Sequence, residues 1–232
     1  TLNPSSAASD VYKRQAGMSV DFVAVSWGAA LGDSYYDAQL MDMSVFEAGL
    51  KAQEEGYDAV CIDTVSDSGM YALRSRLSIP VLGPGQAAFH VACMLGHKFS
   101  IITMWDEWFH LYRKVLSEYK LEARCASMRS IDTRPDLAEL LAGKEEVIFQ
   151  KLESEALKAI EEDKADVIVL GSTTMHQSYA FLQQALPVPV INPGLISYKL
   201  CEMFLETGLC HSKRAFPAPQ QPNDDLVLSR NN

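Results

Sequence analysis

Several residue types and patterns that mark large functional classes are scarce in this chain. Its five cysteines, Cys61, Cys93, Cys125, Cys201 and Cys210, are odd in number and widely spaced. They form neither a disulfide framework nor a CxxC metal pattern. Cys61 stands in an apolar strand run, and Cys93 and Cys201 stand in apolar helical stretches. All three are expected to be inert core thiols of a reducing compartment. Basic residues are in deficit, 20 Lys and Arg against 30 Asp and Glu, for a formal charge of −10. Such a balance speaks against a nucleic-acid partner, which needs a basic face, and against docking on anionic membranes. No apolar run approaches the roughly 18 residues of a membrane span. No signal peptide is recognisable, so a cytoplasmic location is the expectation.

What is there is a soluble composition and a repeat. The 232 residues are 48% apolar and 22% charged, enough to bury a full core as one domain or two small ones. Asp58-Ala59-Val60-Cys61-Ile62-Asp63-Thr64 runs into a turn, a helix and then Ile79-Pro80-Val81-Leu82-Gly83-Pro84-Gly85. Roughly a hundred residues later, Asp166-Val167-Ile168-Val169-Leu170-Gly171-Ser172 runs into a turn, a helix and then Val188-Pro189-Val190-Ile191-Asn192-Pro193-Gly194. Each unit reads as a buried strand, a hydroxyl residue at its C-terminal end, a helix, and a second strand closed by Pro-Gly. Two such units suit two facing α/β lobes, with Thr64 and Ser172 on either side of a ligand.

The remaining pattern alternates strands with helices. Val20–Trp27 reads as a strand, and Gly28–Gly32 as a small-residue loop leading to Tyr35 and Tyr36, which are placed to close over a ligand. Met43–Glu55 reads as a helix, Phe99–Thr103 as a buried strand, Leu121–Ile131 as another strand, and Ala138–Asp163 as mostly helix. The fold class is therefore α/β, with two pseudo-symmetric lobes. Each lobe is a mostly parallel sheet flanked by helices, with the ligand cleft between them. Residues 1–15 have no apolar period and are set aside as a non-native or disordered leader, which would leave the first lobe without its first strand. The first lobe spans 16–95, with the C-terminal helix 195–207 packing back onto it; the second spans 96–194, and 217–232 is a flexible tail. In such sheets ligands bind beyond the C-terminal strand ends, where Thr64, Gly83–Gln86, Thr103, Ser172 and Asn192–Gly194 stand.

In these segments the chain resembles the aspartate/glutamate/hydantoin racemase superfamily. The carriers are Gly56-Tyr57-Asp58-Ala59-Val60, Asp67-Ser68-Gly69, Ile79-Pro80-Val81-Leu82-Gly83, Ala87-Ala88, Phe99-Ser100-Ile101-Ile102-Thr103, Ala165 to Gly171 and Pro189 to Pro193. The closing Leu209-Cys210-His211-Ser212-Lys213-Arg214-Ala215-Phe216-Pro217 looks most like the hydantoin and allantoin racemase branch. The resemblance implies a cofactor-free isomerase. A cysteine on each lobe flanks the substrate's α-carbon; one removes the proton and the other returns it to the opposite face. No metal, pyridoxal phosphate or nicotinamide is implied, and the sequence carries no motif for any of them. A homo-oligomer, dimeric or of higher even number, is implied as well.

At the two cysteine positions the sequence departs, with Thr64 and Ser172 in their place. A hydroxyl is a poor base unless a neighbour activates it. His176, four residues after Ser172, is the natural substitute base if the turn is tight. Asp67-Ser68-Gly69 stands where Asp-Pro-Gly is usual, Asp67 being expected to cap the helix that follows, and Gln86 stands where a glutamate is common. The expected catalytic set is thus Thr64, Ser172 and His176. Val65, Ser66, Gln86, Thr173, Thr174 and Tyr36 are expected to hold a small amino-acid-derived carboxylate or cyclic ureide. A decarboxylase, isomerase or lyase of the same superfamily, or a non-catalytic binder of small carboxylates, is the alternative.

Overall fold

The computed structural model describes residues 18–135 and 145–228. The leader expected over 1–15 and the first turns of the helix expected from Ala138 lie outside them.

Every strand pair is parallel, as short apolar runs separated by helices require. In the first lobe β1 (Val60–Cys61) pairs with β2 (Val81–Leu82). The second lobe holds four strands in the order β4 (Cys125–Ser130), β3 (Phe99–Thr103), β5 (Val167–Leu170), β6 (Val190–Ile191). Phe-Ser-Ile-Ile-Thr of β3 and Val-Ile-Val-Leu of β5 are buried along their whole length, with Ile101 opposite Val169. They form the floor between two apolar layers. One layer gathers Ile102, Ile168, Leu170 and Leu182, the other Phe89, Phe99, Ile101, Val115 and Val169.

The helices are α1 (Tyr35–Gly49), α2 (Met70–Arg76), α3 (Pro84–Leu95), α4 (Phe109–Glu118), α5 (Glu145–Glu161), α6 (His176–Ala185), α7 (Pro193–Thr207) and a last turn α8 (Asp225–Leu228). The two Pro-Gly pairs open helices rather than close strands. Pro84 and Pro193 sit in the first turns of α3 and α7, where a missing N–H costs nothing. Asn192 caps α7 by accepting from the Leu195 amide at 3.2 Å. α7 leaves the second lobe at β6 and packs against α3, β1 and β2 of the first.

Three expectations fail here. Residues 20–27 form no strand: Phe22, Val23 and Val25 are 41%, 64% and 44% exposed. Their composition supplies β-propensity, but a strand exists only with a partner, and β1 is paired on its β2 side alone among the described residues. The segment is fastened by side chains instead, Tyr57 donating to Asp21 at 3.2 Å and the Trp27 indole to Glu47. Cys61, expected in the core, is exposed. Its thiol meets that of Cys201 on α7, which holds Cys61 well above the ordinary thiol range and Cys201 below it. The helix expected over Met43–Glu55 forms earlier, over Tyr35–Gly49.

Candidate functional site

The first half of the site begins where β1 ends. Ile62 still donates to Leu82 O at 2.9 Å, and the chain then leaves the sheet at Asp63 and Thr64. A tight turn follows, with Asp67 N donating to Thr64 O at 2.9 Å and Ser68 N to the Thr64 hydroxyl at 3.4 Å. Asp67 takes a left-handed conformation, φ 51°, which an aspartate tolerates better than most residues. The Thr64 hydroxyl is thus an acceptor that closes its own turn.

The second half is built the same way on β5. Gly171 N donates to Ile102 O at 2.8 Å, while Gly171 O accepts from the buried Tyr112 hydroxyl at 2.7 Å. That hydroxyl also pairs with Thr103 at 2.8 Å. A Cβ at position 171 would stand 2.6 Å from the tyrosine oxygen and 2.7 Å from Thr103 Cβ, so only glycine fits. Ser172 then caps a 3₁₀ turn, Thr173–Met175. Its Oγ accepts from Thr174 N at 3.3 Å and pairs with the Thr174 hydroxyl at 2.8 Å.

Thr173 joins the halves. It is buried, and its hydroxyl donates across the lobes to the backbone carbonyl of Asp63 at 3.2 Å. His176, half-buried, opens α6 directly after this turn. The Asp63 carboxyl is reachable by solvent yet crowded by protein. Burial raises it above the usual carboxylate range, while the Thr173 hydroxyl and the charge of His176 pull it back.

The turn that holds Thr64 and the turn that carries Ser172, Thr173, Thr174 and His176 therefore meet at the bond between Thr173 and Asp63. The other expected binding residues point elsewhere. Val65 is buried in the layer of Ala88 and Phe89, and the Ser66 hydroxyl is turned inward onto that of Ser68 at 2.8 Å. Gln86 presents its carboxamide oxygen to Arg74 Nη2 at 2.7 Å. It lines a separate crevice with Arg74, His90, Phe204, His211 and Phe216. Tyr36 stands 73% exposed in the first turn of α1.

Asp67 caps a helix, but a different one from the helix expected. Its two oxygens take the amides of Gly85 and Gln86, each at 2.7 Å, at the start of α3. The left-handed turn points the carboxylate across to the end of β2, away from α2. Asp63 flanks Thr64 in the sequence and stands outside the expected catalytic and binding sets. Its signal was a charge ending an apolar strand run immediately before Thr64. Among the described residues no group of three or more His, Cys, Asp or Glu side chains is arranged to hold a metal ion, and no helix is long and apolar enough to cross a membrane.

The sequence matches the Asp/Glu/Hydantoin racemase family over residues 6–201. It is 30% identical over 215 residues to a hydantoin racemase of Pseudomonas sp. (strain NS671), covering 92% of this chain and 85% of that one. It is 34% identical over 167 residues to a hydantoin racemase of Rhizobium meliloti, covering 70% of this chain and 66% of that one. The structure superposes on the allantoin racemase from Klebsiella pneumoniae with a TM-score of 0.83 at 28% identity, over 93% of this chain and 86% of the other. The chain belongs to the Asp/Glu/hydantoin racemase family.

Proposed function

We propose that this protein is a cofactor-independent isomerase that moves a proton at the α-carbon of a small cyclic ureide or amino-acid-derived carboxylate. The observation that carries the reading is the Thr173–Asp63 bond. It joins two strand-end turns that are related by repeat. Relatives named for hydantoin and allantoin point to the ureide in preference to the open-chain amino acid. Both compounds have an acidic C–H between a carbonyl and a nitrogen, so removing the proton leaves an enolate whose charge the site must hold.

In this reading His176 supplies the proton transfer on the side of the second lobe. Thr64 and Ser172 stand where the family places its thiols, and they flank the reacting carbon. The hydroxyls of Thr173 and Thr174 and the amides of the Thr64–Ser68 turn orient the carbonyl or carboxylate. Gln86 and Tyr36 lie further out and contribute to shape. The protein is expected to work in the cytoplasm as a homo-oligomer of even number.

One observation favours a second reading, a binder of small carboxylates that has lost the chemistry. The Thr64 hydroxyl meets an amide, and the Ser172 hydroxyl meets an amide and another hydroxyl. Among the described residues neither is hydrogen-bonded to a base, and an unactivated hydroxyl transfers protons slowly. Proton NMR in deuterium oxide separates the two. Allantoin, substituted hydantoins, aspartate and glutamate are each followed for loss of the α-proton signal over a protein-free control. Exchange in any of them supports the isomerase. Saturable binding without exchange across the set supports the binder.

A further inference from the structure

We propose that Asp63 is the acid–base group of the first lobe, working opposite His176 of the second. The inference rests on the α-carbon reading above and names the group that takes over from a thiol on the Thr64 side. Three observations lead to it. The Thr64 hydroxyl accepts from Ser68 N at 3.4 Å within its own turn, and among the described residues no hydrogen bond joins it to a base. Asp67, the other carboxyl of that loop, is buried and committed through both oxygens to Gly85 and Gln86. Asp63 remains exposed, and the Thr173 hydroxyl at 3.2 Å from its backbone carbonyl fixes its place against the second lobe. His176 opens α6 three residues after Thr173, and its charge acts on that carboxyl. Crowding that lifts a carboxyl, with an imidazole nearby, suits a group that must both take and return a proton.

The step balances without a co-reactant. The Asp63 carboxylate takes the α-proton: the C–H bond breaks, an O–H bond forms on Asp63, and the electron pair passes into the enolate. The imidazolium of His176 then delivers a proton to the opposite face: an N–H bond breaks and a new C–H bond forms. Asp63 is left protonated and His176 neutral, which is the form that catalyses the reverse inversion. Proton transfer through water restores the starting form.

The test has two arms, both on the full chain. Aspartate carboxyl ¹³C NMR follows the titration of Asp63, assigned by the signal lost in Asp63→Asn. Its midpoint is expected to rise in His176→Ala and in Thr173→Val, since each removes a group that holds it down; an unmoved midpoint in both overturns the pairing. The second arm measures inversion and deuterium uptake for each enantiomer of whichever substrate exchanges. Asp63→Asn and His176→Gln are each expected to lower inversion by about 10²-fold or more. Each should keep solvent exchange for only one enantiomer, and the two variants should keep opposite ones. Asp63→Asn with wild-type inversion, or with loss of exchange equal for both enantiomers, overturns the assignment. If the wild-type protein exchanges no substrate, the α-carbon reading falls and with it the catalytic role of Asp63, while the first arm still decides whether Asp63 and His176 are paired.

Discussion

Asp67 and Gly85 are eighteen residues apart, and the carboxylate of one is bonded to the amide of the other at 2.7 Å. With Gln86 N on its second oxygen, Asp67 ties the loop after β1 to the first turn of α3. The carboxyl is nonetheless raised to about 7, because burial outweighs the two amides and the charge of Arg74. A carboxyl raised on folding favours the native state at low pH, and that contribution is lost as pH rises from about 4 through about 7. We expect the difference in unfolding free energy between the wild type and Asp67→Asn to change across this window by something on the order of 4 kcal/mol. Urea denaturation at pH 4, 5.5 and 8 measures it. A constant difference between the two proteins would contradict the assignment.

Gly171 and Tyr112 hold the other half of the site. Gly171→Ala must push Cβ into the tyrosine oxygen and Thr103, and overpacking of this kind costs about 1–3 kcal/mol. Tyr112→Phe removes the donor to Gly171 O and the partner of Thr103, a loss of about 1–3 kcal/mol for buried groups left unpaired. Denaturant midpoints read both. A wild-type midpoint in Gly171→Ala would show that β3 and β5 sit further apart than described.

His211 lends its Nε2 as acceptor to the Val81 amide at 2.8 Å. Burial, with Arg74 and Lys213 adding to it, pushes the imidazole down to about 4. A histidine depressed on folding contributes stability that is present above its unfolded value and is lost as pH falls through about 4. The protection factor of the Val81 amide, its exchange corrected for the intrinsic pH dependence, should therefore fall between pH 6 and pH 4. His211→Gln, which can accept the same bond without being protonated there, should flatten that fall. An equal pH dependence in the two proteins would place the weak point elsewhere.

Lys213 donates to the Arg74, Ser75 and Leu77 carbonyls at the C-terminal end of α2, the first two at 2.7 and 3.0 Å. A cation there satisfies carbonyls that the helix leaves unpaired and faces the negative end of its dipole. Lys213→Met keeps the aliphatic stem and removes the donors. A loss of about 1–2 kcal/mol is expected, read as a shift in denaturant midpoint at unchanged slope. No shift would mean that water replaces the ammonium without cost.

The sequence was legible where burial alone decides structure. The apolar runs at Phe99–Thr103 and Val167–Leu170 could hardly be anything but central strands, and the repeat located Thr64 and Ser172 at corresponding strand ends. It was silent where a partner decides. Val20–Trp27 has the composition of a strand but finds no ladder, and Cys61 has the surroundings of a core thiol but is exposed. Asp67 was legible as a cap, yet only the left-handed turn tells which helix receives it. The surroundings of Asp63 were hidden for the same reason: Thr173 and His176 come from more than a hundred residues away, and nothing local announces them.

The first lobe is completed by the last part of the chain. α7 covers β1 and β2, and Cys210 and His211 reach back to Ser78 and Val81 across separations of 132 and 130 residues. The second lobe has its strands between residues 99 and 191 and depends on no such return. During synthesis, then, the lobe made first must wait on the ribosome with its sheet uncovered while the lobe made second can already close. A released chain that ends before residue 193 should protect β3 and β5 from proteolysis and leave β1 and β2 open to it, so in this protein order of birth and order of folding run in opposite directions.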